Sequence, residues 1–197
     1  DGQTQDILIT SNYIFNNGIM GSGFQHNTYT EAVNITYEFN RFGPLRAGAE
    51  GNNLKDRSAG LIVRYNWIED GSRLLDLVDS NNSNLTGHPT YGTTYVYGNI
   101  LIKEDDQSNN GVIHYGGDSG NTANYRKGDL YFYNNTVIST RPGNTTLVNL
   151  DTQDETMHAF NNVIYLAESG SSMALVTDNG TLNMQNNWLK SGWRGSH

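Results

Sequence analysis

One short pattern recurs along the whole chain: a β-rich triplet, then asparagine, then an apolar or aromatic pair. It reads "ITSNYI", "YEFNRF", "VRYNWI", "VYGNIL", "YNNTVI", "FNNVIY" and "QNNWLK". The repeated asparagines are Asn12, Asn40, Asn66, Asn99, Asn135, Asn162 and Asn187, and neighbours are 25 to 36 residues apart. A repeat of this length suits one coil of a parallel β-helix, in which short strands are joined by turns.

Asparagines stacked at one turn can hydrogen-bond to each other along the stack, and asparagine tolerates left-handed backbone. The composition agrees, because 22 Gly, 12 Tyr and only three Pro favour strands and turns. We therefore predict an all-β chain, a single-stranded parallel β-helix (a solenoid) of about seven coils with an asparagine ladder, over residues 1–193. Residues 194–197, "RGSH", are interpreted as a tag remnant. The alternative is that asparagine is simply frequent here.

Each coil also contains a second strand whose residues alternate between the inside and the outside of the helix. With Leu75 and Leu77 inward, Asp76 points outward. The same alternation predicts one polar, outward column on this sheet. The column comprises Tyr29 or Asn27, then Lys55 with Arg57, then Asp76, His114, Asn149 and Thr177.

Positive charge is concentrated in one segment of an acidic chain. The chain carries a formal net charge of −8, but residues 41–73 hold six cations against four acids, a net charge of +2. Arginine binds carboxylates with two parallel hydrogen bonds, so the cations of this segment suit a polyanionic sugar. Nucleic acid is not expected as a partner, because it calls for a much larger basic face.

Several stretches occur in an order that resembles a known family. They are "HNTY" (26–29), "NNLKDRS" (52–58), "LLDLVD" (74–79), "YVYGNIL" (95–101), "IHYGGD" (113–118) and "LYFYNNTVI" (130–138). Together they resemble a bacterial family of right-handed parallel β-helix proteins in the pectate-lyase-like superfamily, often labelled polysaccharide-degrading. The resemblance implies a right-handed helix and an exported, carbohydrate-active protein. The chain is also weakly similar to β-helix lyases in which a lysine and an arginine act on a uronic acid, although their Arg-His-Gly signature is absent.

These observations suggest a polysaccharide lyase that cleaves a uronate-containing glycan by β-elimination. In this hypothesis Arg57 binds the uronate carboxylate and Lys55 abstracts the C5 proton. His114 protonates the leaving oxygen, a role for which Tyr29 and His26 are weaker candidates. Asp76 either orients Lys55 or binds a cation that neutralises the substrate. The residues expected to bind substrate are His26, Asn27, Tyr29, Tyr115, Asp118 and Asn149.

The same residues also allow other functions. Asp76 with a second acid could run glycoside hydrolysis or esterase chemistry. The chain could also be a non-catalytic carbohydrate-binding or adhesion β-helix, or an inert fragment of a longer protein. In that case Lys55, Asp56, Arg57 and Asp76 would form a charge ladder between coils, each exposed pair contributing about 0–1 kcal/mol.

The same residues and motifs give expectations about cofactors, partners and location. The chain has no cysteine, so neither a disulfide nor a thiolate metal site is expected. No cofactor is required by any motif, and no carboxylate cluster indicates a calcium site, although Ca²⁺ stays open. We expect an acidic polysaccharide as partner, no membrane span, and a homo-dimer through an open end of the helix. The expected location is secreted or periplasmic in a bacterium.

Overall fold

The computed structural model of the chain describes residues 4–105, 109–168, 173–177 and 179–196. Short strands recur three to a coil and stack in parallel into three sheets of seven strands each. The chain is therefore a right-handed parallel β-helix of seven coils, as predicted.

The strands of each sheet follow one another in chain order. Sheet 1 consists of β1 (Gln5–Thr10), β4 (Val33–Glu38), β7 (Ile62–Arg64), β10 (Thr93–Tyr97), β13 (Gly128–Tyr133), β16 (Glu155–Phe160) and β19 (Thr181–Gln185). Sheet 2 consists of β2 (Tyr13–Ile14), β5 (Arg41–Phe42), β8 (Trp67–Glu69), β11 (Ile100–Lys103), β14 (Thr136–Ser139), β17 (Val163–Leu166) and β20 (Trp188–Leu189). Sheet 3 consists of β3 (Thr28–Thr30), β6 (Leu54–Asp56), β9 (Leu75–Leu77), β12 (Gly111–Tyr115), β15 (Thr145–Leu150), β18 (Met173–Val176) and β21 (Trp193–Ser196).

The predicted asparagine ladder lies at the turn between sheets 1 and 2. Each side-chain amide donates to the side-chain oxygen of the asparagine one coil further on, over distances of 2.9–3.2 Å. Left-handed backbone is found one position earlier than expected, at the residue that precedes each ladder asparagine. These residues are Ser11, Phe39, Tyr65, Gly98, Asn134, Asn161 and Asn186. The asparagine itself points its side chain into the stack.

Inward-facing residues of the three sheets fill the inside of the helix. Tyr37, Val63, Val96, Phe132 and Ala159 form one such row along sheet 1, and all are buried. The alternation of strand side chains places these residues inside and their neighbours outside. The core is thus a stack of apolar layers that holds the sheets at fixed positions.

The C-terminal strand and the helices complete the description of the fold. The strand β21 includes three of the four residues interpreted as a tag remnant, and the fourth, His197, lies outside the described residues, as do residues 1–3. The one helix in the described part of the chain is α1 (Ser83–Thr86), in the loop between β9 and β10. None of the helices among the described residues is long and apolar enough to cross a membrane.

Candidate functional site

The predicted polar column lies on the outer face of sheet 3. Tyr29 pairs with Lys55, Lys55 with Asp76, Asp76 with His114, and His114 with Asn149. The inward neighbours Leu54, Leu75, Leu77 and Ile113 are fully buried in the core. Parallel strands lie about 4.8 Å apart, so equivalent residues of successive coils can contact each other directly.

Lys55 is held between two carboxylates. Its ammonium donates to Asp76 Oδ2 and to Asp118 Oδ2, both at 2.5 Å. The residue is only 6% exposed, and both acids come from later coils than its own strand. A general base must give up a proton to become active, whereas this ammonium shares its protons with two acids. These two contacts therefore argue against Lys55 as the base.

Arg57 follows the end of β6 and faces the same side as Lys55. Its Nε donates to Tyr29 Oη and its Nη2 donates to Asp118 Oδ1, each over 2.7 Å. Its Nη1 donates to the backbone carbonyl of Asp79. These contacts fix the plane of the guanidinium, and hydrogen bonds from charged donors are the strong ones.

A single carboxylate, that of Asp118, bridges the two cations. One of its oxygens accepts from Lys55 and the other from Arg57, while its side chain stays 34% exposed. Burial by itself would raise the pKa of Asp118, but the hydrogen bonds and charges of Lys55 and Arg57 outweigh burial and lower the pKa. Asp118 is therefore an anion at neutral pH.

Beneath this pair lies a buried chain of acids around His114. Its Nδ1 is 2.7 Å from Asp76 Oδ1 and its Nε2 is 2.8 Å from Asp151 Oδ2. Burial opposes charge on the ring, but these two carboxylates outweigh it and raise the pKa of His114. The imidazolium form donates from both nitrogens, so it satisfies both acids at once.

Asp76 is the centre of the buried network and is 1% exposed. Besides Lys55 and His114, it accepts from Asn52 Nδ2 at 2.7 Å and lies 3.5 Å from Arg73 Nη1. Burial would raise the pKa of Asp76, but the hydrogen bond from His114 and the charge of Lys55 hold it well below its usual range. Asp76 is thus an anion at neutral pH that accepts a hydrogen bond from Lys55.

A groove of about 380 Å³ opens above the Lys55–Arg57 pair. Among the residues that line it are Phe24, His26, Tyr29, Arg73, Asn81 and Ser119. Phe24 and Tyr29 are 85% and 56% exposed, so both rings are available to a ligand. The groove therefore combines cations with uncovered aromatic surface.

His26 faces this groove as a neutral ring. Its Nδ1 accepts the backbone N–H of Asn52 at 2.9 Å, which leaves the proton on Nε2. Burial, helped by the charge of Lys55, lowers the pKa of His26 to about 4. His26 is thus a hydrogen-bond donor to the groove at neutral pH.

The structure corrects three of the expected site residues, two of them predicted to bind substrate and one to be catalytic. Tyr115 is fully buried in the core, because it occupies an inward position of β12. Asn27 is 8% exposed, and its amide donates to Asn53 Oδ1 and to the carbonyl of Gly43 in a second asparagine stack. His114 is 5% exposed, lies outside the groove lining and has both nitrogens engaged, so it cannot protonate a leaving oxygen there. Its contribution is to hold Asp76.

The other expected residues lie where a ligand could contact them, with one exception. His26, Tyr29, Lys55, Arg57 and Asp118 all line the groove, together with the buried Asp76. Asn149 is in register with His114 on the following coil, and it does not line the groove.

Sequence reasoning missed three residues of the site. Phe24 lies in the long connection between β2 and β3, where no periodic pattern predicts a side-chain direction. Arg73 belongs to the cation-rich segment, which was a usable signal. Asp79 is fully buried and accepts the backbone N–H of Asp118 at 2.8 Å, a contact between different coils that only the fold reveals.

A metal role finds no support in the residues that the structure describes. Among them, no group of three or more His, Cys, Asp or Glu side chains is arranged to hold a metal ion. The acids of the groove are engaged by Lys55, Arg57 and His114 instead.

Fold and site together define the class of protein: a parallel β-helix with a groove lined by cations and aromatic rings on the outer face of one sheet. No family model, curated protein or solved structure matches the chain.

Proposed function

We propose that the protein is carbohydrate-active and binds a uronate-containing glycan in the groove over sheet 3. The observation that carries this proposal is the bridge of Asp118 between Lys55 and Arg57, because the two cations are spaced to bind both oxygens of one carboxylate. Exposed Phe24 and Tyr29 flank these cations and offer the apolar surface that sugar rings pack against. A secreted or periplasmic location in a bacterium accords with such a partner and remains part of the proposal.

The proposed reaction is β-elimination. Lys55 and Arg57 neutralise the uronate carboxylate and stabilise the charge that develops on it when the C5 proton leaves. Tyr29 Oη, 2.7 Å from Arg57 Nε, replaces Lys55 as the group that exchanges protons. As a phenolate it takes the proton from C5; the C4–O4 bond breaks, and the same proton passes to the leaving oxygen. His26 donates from Nε2 to a sugar oxygen.

Hydrolysis is the weaker alternative, because neither Asp76 nor Asp118 has a raised pKa. Glycoside hydrolysis needs a carboxylic acid that is still protonated near neutral pH, which requires a raised pKa. Both Asp76 and Asp118 have lowered pKa values. Glu155 has a pKa raised by burial, but it is hydrogen-bonded to Thr152 and does not line the groove.

Binding without cleavage is a second candidate, and one observation favours it. Lys55 and Arg57 are already paired with acids of the chain, so the groove can recognise a glycan without cleaving it.

The test is incubation with pectate, alginate and glycosaminoglycans while the ultraviolet absorbance of the C4–C5 double bond is followed. We expect a rising signal with at least one uronate polymer and none with a neutral glycan. Binding of the polymer without any rise in absorbance would leave the recognition function and remove the lyase chemistry. Absence of both would contradict the proposal.

The matched variants are Arg57→Lys and Arg64→Lys. Both arginines are ion-paired with a carboxylate and hydrogen-bonded to a tyrosine, but Arg64 bonds to Glu38 and Tyr97 on sheet 1, away from the groove. Lysine keeps the charge and loses the planar fork. We expect Arg57→Lys to lower turnover or affinity about tenfold or more, a loss of roughly 1.4 kcal/mol, and Arg64→Lys to leave both unchanged. Equal effects of the two variants would remove Arg57 from the site.

A further inference from the structure

Asp118 lies where a ligand is expected to bind. Its carboxylate contacts both groove cations with one oxygen each, over 2.5 Å to Lys55 Nζ and 2.7 Å to Arg57 Nη2. The side chain lines the groove and remains one-third exposed. A ligand carboxylate that approached the same two cations would need the same two positions.

The backbone around Asp118 is held independently of this carboxylate. The N–H of Asp118 donates to Asp79 Oδ1 at 2.8 Å, and the N–H of Gly117 donates to Asp151 Oδ2 at 2.6 Å. Ser119 Oγ also donates to Asp79. Gly116 has a φ of 143°, and a Cβ there would collide with the Asp151 carboxylate, so the chain is tightly fitted at this turn. The Asp118 side chain can therefore turn away by rotation about its own bonds without unfolding the loop.

We infer that the Asp118 carboxylate is an internal competitor that occupies the carboxylate position of the groove, and that a bound uronate displaces it from Lys55 and Arg57. This inference rests on the proposed function and adds two properties to it. The position between the cations takes a planar carboxylate, because that of Asp118 already bridges them. The affinity for the ligand is lowered, because the ligand must replace the contacts of Asp118 with Lys55 and Arg57.

The consequence for affinity has a definite sign. In the unliganded protein the two cations are neutralised, so a ligand gains only the difference between its own contacts and those of Asp118. Removing the charge of Asp118 leaves Lys55 and Arg57 with an unfilled position between them. An acidic ligand then binds more tightly, whereas a ligand that presents a methyl ester in place of the carboxylate gains far less.

The experiment compares wild type with Asp118→Asn, which keeps the size of the side chain and removes its charge. Asp154→Asn is the matched control, because Asp154 is an exposed acid paired with Lys127 outside the groove lining. Binding of oligogalacturonate, oligoalginate and hyaluronan oligosaccharides, and of the methyl ester of oligogalacturonate, is measured by calorimetry at one ionic strength.

The inference predicts that Asp118→Asn binds at least one acidic oligosaccharide about tenfold more tightly than wild type, that the ester shows little change, and that Asp154→Asn matches wild type. Unchanged or weaker binding by Asp118→Asn and also by a second variant, Asp118→Ala, with wild type still binding, overturns the inference and leaves the proposed function standing. An equal gain in Asp154→Asn also overturns it, since long-range charge then explains the effect. If neither wild type nor Asp118→Asn binds any acidic oligosaccharide, the proposed function fails and the inference with it.

Asp118→Ala provides a second variant in case the amide that Asp118→Asn introduces binds to the cations itself. It removes the oxygens altogether, and the anchoring contacts of the loop come from backbone N–H groups and Ser119, so they are retained. Circular dichroism and the unfolding midpoint establish that each variant is folded before binding is compared. Tighter binding by Asp118→Ala alone still supports displacement, whereas failure of both variants to gain affinity refutes it.

Discussion

Lys55 shows how far a residue's neighbours change the role that its type suggests. In the expected lyase chemistry a lysine beside an arginine suggests a base, and the sequence hypothesis assigned that role to Lys55. The two acids that hold its ammonium come from residues 76 and 118, on later parts of the chain. Only the arrangement in space shows that the ammonium of Lys55 is held by two acids.

His26 gives a prediction of pH dependence at the same scale. Its pKa is lowered from 6.5 to about 4 in the folded protein, so folding favours the neutral ring. The contribution of the neutral His26 ring to the free energy of unfolding is fully present above the unfolded pKa of 6.5. It is lost as the pH falls through the folded pKa near 4.

The measurement compares urea unfolding of wild type and His26→Asn between these two pH values. Asparagine retains an acceptor for the Asn52 N–H and does not titrate. We expect the stability advantage of wild type over the variant to shrink as the pH falls, because the variant lacks this one titration. A difference that stays constant with pH would show that His26 is not held neutral by the fold.

At the scale of the elements, the asparagine ladder gives each turn its shape. Asn99 is 1% exposed; its amide donates to Asn135 Oδ1 and to the carbonyls of Val63 and Tyr97. Its oxygen accepts from the backbone and side chain of Asn66. Because these groups are buried, replacing Asn99 leaves several of them without partners.

We therefore expect Asn99→Ala to lower the free energy of unfolding by about 3 kcal/mol. Asn12, in the exposed first coil, is the control: its amide also donates to the next asparagine of the ladder. Water can replace the partners of an exposed amide, so Asn12→Ala should cost clearly less. Chemical denaturation measures both, and equal losses would contradict a burial-dependent ladder.

The strand β6 depends on an ion pair in the interior. Asp56, between the outward Lys55 and Arg57, points inward and lies 3.4 Å from Arg126, and both side chains are fully buried. Asp56 also accepts from Thr30 Oγ1 and from the backbone and side chain of Ser58. Lys55 and Asp76 are paired between coils, whereas Asp56 lies inside and so does not belong to the outward charge ladder that the sequence allowed.

Removing one partner of a buried ion pair leaves an uncompensated charge. We expect Arg126→Met to destabilise the protein by about 3–5 kcal/mol. Arg41→Met is the comparison, because Arg41 pairs with Glu69 on the surface and is 56% exposed. Its effect on the unfolding midpoint should be small, and a loss as large as that of Arg126→Met would argue against the importance of burial.

At the scale of the whole molecule, stability should vary along the stack. Each coil contacts mainly its neighbours, so the ends of a solenoid open more readily than its middle. In the first coil Leu8 is 56% exposed and Ile7 and Ile9 are only partly buried, whereas Leu75 and Ile113 in the middle are fully buried. The predicted homo-dimer through an open end would cover such a surface and stays a prediction.

Hydrogen exchange measures this gradient. Amides of the central strands β9 and β12 should exchange most slowly, and those of β1 most quickly among the strands of sheets 1 and 3. If the protein dimerises through the first coil, raising its concentration should slow the exchange of β1 selectively. Uniform protection along the chain at every concentration would contradict both a graded stack and that dimer.

Local patterning was enough to predict the architecture and the outward column, since the asparagine repeat and the in–out alternation can be recognised in short stretches of the sequence. The sequence therefore predicted that Lys55, Asp76 and His114 share a face and that Leu75 lies inside. Other features depend on contacts between coils: the left-handed residue before each ladder asparagine, the second asparagine stack that buries Asn27, and the Asp118 bridge. The contacts around each charged group are made by loops of irregular length, which carry no sequence period. Only the tertiary structure therefore decided which charged groups contact each other.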